Sequence, residues 1–267
     1  MPENIFKSIR LSEWAIRPVQ SAAMSSSPGN SIPAGLNPRQ REAIAYLDGP
    51  LLVLAGAGSG KTRVITEKIV HLIETCDIKP HQVAAITFTN KAAMEMSERI
   101  AKRMGKQPKG LTIATFHSLG LRMVREEAKT LGYKPGFSIF DSADCLGIIN
   151  ELSGTTDKAK LRWLQTTISL WKNGLLSPKE AADAAKDEEE AVAARVYCEY
   201  ANALHAYQAV DFDDLIRLPV TLLQDDAAAR QRWQDKFRHI LVDEYQDTNT
   251  AQYRLLQQLT GVRASFT

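Results

Sequence analysis

The segment Ala55-Gly56-Ala57-Gly58-Ser59-Gly60-Lys61-Thr62 constrains the fold of this chain more than any other feature. It follows a short apolar run at 51–54 and opens a stretch whose apolar spacing predicts a helix over 61–74. Glycines let a backbone curl until several N–H groups point at one oxyanion, and the start of a helix adds positive potential there. At this spacing the Lys61 ammonium reaches terminal phosphates and the Thr62 hydroxyl reaches a divalent cation. The general pattern begins with Gly where this chain has Ala55, a side chain small enough to fit. Such a loop belongs between a buried parallel strand and a helix, so an α/β fold is expected.

The rest of the chain extends that reading. Apolar runs at 51–54, 83–88, 111–115 and 240–242 predict strands, and helices are expected over 40–46, 61–74, 91–104 and 250–259. Asn37 and Pro38 suit the start of the first helix. Strands alternating with helices imply a parallel sheet covered on both faces. Between 118 and 225 the pattern is helical nearly throughout, which predicts an all-helical subdomain inserted into an α/β domain made of 36–117 and 226–267. Trp163, Trp171, Tyr197 and Tyr200 are assigned to helix packing there, and Lys158, Lys160, Arg162 and Lys172 by default to a solvated face, with contact to duplex DNA as the alternative. The run Asp187-Glu188-Glu189-Glu190 reads as a solvated helix face or loop. Residues 1–35 read as a flexible extension, with Phe6, Ile9, Leu11, Trp14 and Ile16 suited to a short amphipathic turn. A Ser-Ser-Ser-Pro-Gly-Asn linker follows at 25–30, preceded by a second candidate start at Met24.

Charge and cysteine content exclude some classes. A net charge of +2 rules out a uniformly basic surface but not a local basic groove. No apolar run approaches the length of a membrane span. Cys76, Cys145 and Cys198 are far apart and lack metal-ligand spacing, so free thiols in a reducing cytoplasm are expected.

A second motif completes the chemistry. His239-Ile240-Leu241-Val242 predicts a strand that ends in Asp243-Glu244. Parallel sheets present ligand sites at strand C-termini. Asp243 is placed to hold Mg²⁺, and Glu244 to orient or deprotonate an attacking water. An acidic pair alone is weak evidence; together with the loop upstream it points to ATP or GTP hydrolysis.

At this point the residues resemble superfamily 1 DNA helicases of the UvrD, Rep and PcrA type. The phosphate loop with Arg63, Thr87-Phe88-Thr89-Asn90-Lys91-Ala92-Ala93, Thr115-Phe116-His117-Ser118 and Asp243-Glu244-Tyr245-Gln246-Asp247-Thr248-Asn249 are similar to that family's ordered motifs. So are Leu36-Asn37-Pro38-Arg39-Gln40 and the run Asp211-Phe212-Asp213-Asp214-Leu215. The resemblance implies a RecA-like P-loop NTPase domain using ATP and Mg²⁺. Catalysis would rest on Lys61, Asp243 and Glu244, with Thr62 and Asp243 at the metal. The nucleotide would lie against Gln40, Ala57, Gly58, Ser59, Gly60, Lys61, Thr62 and Arg63, with Gln40 reading the adenine edge. Phe88, Asn90, Phe116 and His117 would contact single-stranded DNA, where an aromatic face serves as a sequence-tolerant platform. Burial tendency by itself assigns Phe88 and Phe116 to the core, and His117 to a structural hydrogen bond.

The family reading implies 3′-to-5′ unwinding, single-stranded DNA and single/double-strand junctions as partners, and replication or repair proteins beside them. It also implies a second RecA-like domain beyond Thr267, so that the chain as given is expected to bind Mg-ATP weakly, hydrolyse it poorly and not unwind alone. Three rival readings are a P-loop kinase or small-molecule ATPase, a non-catalytic module that holds DNA or a partner, and a nuclease-linked relative.

Overall fold

A computed structural model describes residues 35–47, 49–56, 58–260 and 265–266. The expected N-terminal extension, its amphipathic turn and its linker therefore lie outside the described residues, apart from Gly35. The helices in chain order begin with α1 (Pro38–Ala45), α2 (Lys61–Glu74), α3 (Asn90–Met104) and α4 (Phe116–Glu126). They continue with α5 (Ser142–Ser153), α6 (Lys158–Asn173), α7 (Pro178–Ala184) and α8 (Glu188–Ala206), then α9 (Asp214–Asp225), α10 (Ala227–Lys236) and α11 (Thr250–Leu259). The strands are β1 (Val83–Thr87), β2 (Thr112–Thr115), β3 (Ser138–Ile139), β4 (Ala209–Val210), β5 (His239–Val242) and β6 (Ser265–Phe266).

The main sheet is parallel, in the order β2-β1-β5-β6. Alternating side chains of β1 go to opposite faces, so a run with no polar residue before Thr87 is buried throughout. Ala84 and Ile86 join Ile240 and Val242 in a core closed by α4, α9, α10 and α11. Val83 and Ala85 join Leu241 on the other face, beneath α2 and α3. This is the RecA-like α/β arrangement expected from the strand–helix alternation.

Two local expectations need correction. Residues 51–54 enter neither sheet. Both sides of β1 and both sides of β5 are already paired. The run packs instead through Leu51 and Val53 against Leu36, Ala43, Ile44 and Val64, while Leu54 is 86% exposed. The second correction concerns Lys172. It lies on no solvated face, being 1% exposed, with its ammonium 2.6 Å from Asp211 Oδ2 and 2.9 Å from Asp214 Oδ2. Helical periodicity cannot tell a buried lysine from a surface one when its counter-charges are about forty residues away.

Within 118–225 a separate core is built from α5, α6, α7 and α8, with Tyr197 and Tyr200 buried and Trp171 packed against it. The short parallel pair β3–β4 interrupts this otherwise helical region. α4 and α9 belong instead to the core beneath the main sheet. Their crossing is so close that a Cβ on Gly120 would lie 1.8 Å from the Leu215 carbonyl oxygen. Among the described residues, no helix is long and apolar enough to cross a membrane.

Candidate functional site

Strand register brings the motifs to one edge. Thr87 pairs with Thr115 and Ile86 with Val242, so β1, β2 and β5 end level with one another. The Asp243 N–H donates to the Ile86 carbonyl at 3.0 Å, which continues the ladder one residue into the acidic pair. Each strand therefore delivers its following motif to the same rim of the sheet.

The phosphate loop meets that rim. Gly58 (φ 73°) and Gly60 (φ 86°) take left-handed conformations that other residues adopt only under strain. Gly60 caps α2 without a side-chain hydrogen bond and no acid lies in the first turn, so among the described residues the first N–H groups of α2 have no intrahelical or side-chain acceptor. Lys61 Nζ donates to the Ala55 and Gly56 carbonyls at 3.2 and 3.5 Å, and the Ser59 hydroxyl donates to Gly56 O at 2.7 Å. Ala57 lies outside the described residues. The Thr62 hydroxyl donates to Asp243 Oδ2 at 3.1 Å.

Asp243 is buried and its other oxygen accepts from the Glu244 N–H at 3.1 Å. Glu244 is exposed, sits in the left-handed region (φ 53°) and accepts a hydrogen bond from the Gln246 amide. For a residue other than glycine that backbone costs about 1–3 kcal/mol. It turns the chain sharply after β5 into a single 3₁₀ turn at Tyr245–Asp247.

Gln40 reaches the loop from α1. Its Oε1 accepts from the Asn37 N–H at 2.9 Å, closing a capping box, and its Nε2 donates to Ser59 O at 3.0 Å. One N–H and one lone pair of the amide remain for a base edge. Arg63, in the first turn of α2, donates to Gly35 O at 3.4 Å. α1 is anchored underneath by the buried Lys68, whose ammonium donates to the carbonyls of Ala43 and Tyr46 at 2.9 and 2.7 Å. Burial lowers the Lys68 pKa to about 8, against an opposing pull from Cys76.

The residues expected at DNA divide. Asn90 is exposed in the first turn of α3, behind the Thr89 cap. Phe88 is partly buried, its ring 5.4 Å from that of Phe116. The expectation for Phe116 is corrected: it is 1% exposed in the core beneath the sheet, and a base could reach its ring only by displacing that packing. His117 is half-buried. Burial lowers its pKa against the opposing charge of Asp213. Its ring meets Phe212 edge to face at 6.1 Å, and Phe212 is 54% exposed. Sequence reasoning gave Phe212 no role, although an aromatic residue set among three aspartates was the available signal.

The fit of a divalent cation follows from the donor set. Among the described residues no three His, Cys, Asp or Glu side chains converge. One hydroxyl and one carboxylate meet instead beside a phosphate loop. Mg²⁺ is ordinarily held in this way, with phosphate oxygens and water completing its shell.

Comparison with known proteins accords with this arrangement. Residues 36–267 match the family model described as UvrD/REP helicase N-terminal domain. The chain belongs to the UvrD/Rep helicase family. It is 51% identical over 236 residues to ATP-dependent DNA helicase Rep of Escherichia coli (strain K12), covering 87% of this chain and 35% of the relative. It is 43% identical over 234 residues to ATP-dependent DNA helicase PcrA of Bacillus subtilis (strain 168), covering 86% of this chain and 32% of the relative. The chain thus spans about a third of the length of these UvrD/Rep relatives.

Proposed function

We propose that this chain is the ATP-binding part of an ATP-dependent DNA helicase that moves 3′-to-5′ along single-stranded DNA. The observation that carries this reading is the meeting of Thr62 and Asp243 beside the phosphate loop, on the rim where Asn90 and His117 also emerge. A motor needs nucleotide and track on connected structure, so that occupancy of one site alters the grip at the other.

In this reading the N–H groups at the start of α2 and the Lys61 ammonium bind the phosphates. Thr62 and Asp243 would hold Mg²⁺, which would supply charge neutralisation at the phosphates. Glu244 orients the attacking water and takes its proton. Gln40 selects adenine, and Arg63 lays its planar guanidinium against the base. Asn90, His117 and the exposed edge of Phe88 contact single-stranded DNA. The part of 118–225 with its own core, α5 to α8, acts as a helical subdomain beside the track. Junction DNA, replication or repair proteins as partners, and a cytoplasmic setting belong to the same proposal and rest on the family resemblance.

The test is phosphate release from Mg-ATP with and without oligo-dT, using Lys61→Ala as the blank. The reading predicts release, or at least Mg-nucleotide and oligo-dT binding, that is lost or reduced in the variant. Transfer of phosphate to a small acceptor, with indifference to DNA, would replace it with a kinase.

A further inference from the structure

A line of side-chain amides joins the acidic motif to the loop beside His117. Asn249, the last residue of the segment that begins at Asp243, caps α11: its Oδ1 accepts from the Gln252 N–H at 2.9 Å. A backbone N–H can only donate, so the orientation of this amide is fixed and its Nδ2 must point away. That Nδ2 donates to Asn173 Oδ1 at 2.7 Å. The Asn173 amide is thereby fixed in turn. Its Nδ2 donates to Asp213 Oδ1 at 2.8 Å, and to the Ser169 carbonyl at 2.9 Å. Asp213 ends the line as a carboxylate, which can only accept when ionised. Every member therefore points the same way, and reversing one amide would set donor against donor or acceptor against acceptor.

The two ends of this line are the two ends of a motor. Asn249 follows Asp243 and Glu244 through one 3₁₀ turn, closed by a hydrogen bond from the Thr248 hydroxyl to Tyr245 O at 2.9 Å. Asp213 is the neighbour of Phe212, whose ring lies on His117. The line passes through the last residue of α6, a helix whose core is otherwise separate from that of the sheet. Asn173 is thus the one residue on this path that belongs to the helical region and touches the acidic motif's segment directly.

Resting on the proposed motor function, we propose that Asn173 is a positioning residue that transmits the state of the nucleotide site to the loop at 211–213 beside His117. Among the described residues, Asn173 makes no hydrogen bond to the phosphate loop or to the acidic pair. It sets the distance between Asn249 and Asp213, so a shift of the segment after Glu244 moves the loop that bears Phe212. A hydrogen-bonded strut of fixed polarity transmits displacement better than apolar packing, because sliding breaks a bond and leaves a half-buried amide without a partner.

The experiment measures oligo-dT binding to the full chain by fluorescence anisotropy, without nucleotide and with Mg²⁺ plus a non-hydrolysable ATP analogue. Thermal melting is followed in parallel. For the wild type, the proposal expects the nucleotide to change DNA affinity about fivefold or more, and DNA to change nucleotide affinity by the same factor. Asn173→Ala should retain each separate affinity within about twofold while the coupling factor falls towards one. Asn173→Asp, which sets a second carboxylate against Asp213, should do the same. Asn173→Gln, which keeps the amide, should restore part of the coupling. A purely structural role would lower the melting temperature and leave the coupling factor unchanged, which overturns the proposal. A wild type that binds both ligands without coupling also overturns it, leaving the function intact. A wild type that binds neither removes the functional reading and this proposal with it.

Discussion

The Thr62 hydroxyl stands 3.1 Å from an Asp243 carboxylate oxygen although 181 positions of chain separate the two residues. All of the helical region lies between them. Their meeting depends on β5 pairing beside β1 in one register and on Gly60 turning α2 towards the same rim.

Removing one partner of that pair should separate metal from nucleotide. Asp243→Asn is expected to lower Mg²⁺ affinity by at least about tenfold, a loss typical even for groups one step removed from a metal. Binding of nucleotide without Mg²⁺ should change little. Titrating Mg²⁺ against a fluorescent ATP analogue checks this, and equal Mg²⁺ dependence in the two proteins would show that Asp243 is no ligand.

The α4–α9 crossing tolerates no side chain at Gly120, where a Cβ would fall 1.8 Å from Leu215 O. Both partners there are backbone, so neither can rotate away. Gly120→Ala should destabilise the chain by about 3 kcal/mol, the upper range for overpacking. Urea unfolding should show a lower midpoint at unchanged slope.

Lys172 holds two buried carboxylates, with Arg217 as a second partner for Asp214 at 3.0 Å. Lys172→Met fills the space but, among the described residues, leaves Asp211 the Tyr200 hydroxyl and the Asp214 N–H as donors. The expected loss is about 3–5 kcal/mol, as when one member of a buried ion pair is removed. Adding Asp211→Asn in that background should recover part of it, and the denaturant midpoints of the single and double variants measure the difference.

Burial holds the Lys68 pKa at about 8 in the folded chain, below the ordinary 10.5. Between these values the unfolded chain binds the proton more tightly, so stability rises with pH across that window and is unaffected by this group below it. Wild type should gain up to about 3 kcal/mol over Lys68→Met between pH 8 and 10.5. Parallel unfolding curves at the two pH values give this difference, and a constant gap would mean that Lys68 titrates as an ordinary lysine.

Much of the site was legible because its determinants are local. The loop at 55–62, the cap at Asn37 with Gln40, and the strand before Asp243 each encode their conformation within a few residues. The assignments that required a partner behaved differently. Phe116 and Phe88 follow equivalent strand ends, yet only Phe116 is enclosed, because α9, α10 and α11 pack around it. Asn173 carried no signal, since an asparagine near a helix C-terminus commonly serves that terminus alone.

The amino-acid sequence by itself determined where the backbone turns through the glycine-rich loop, that β1 is buried throughout, and which acids follow a strand end. Glycine conformations, capping side chains and apolar periodicity act over a few residues and need no distant contact. Only the tertiary structure decided that 51–54 stays outside the sheet, that Lys172 is an interior charge, and that Asn249, Asn173 and Asp213 form one line. Each of those outcomes depends on which surfaces distant segments present to one another, and a single residue's chemistry does not encode its neighbours.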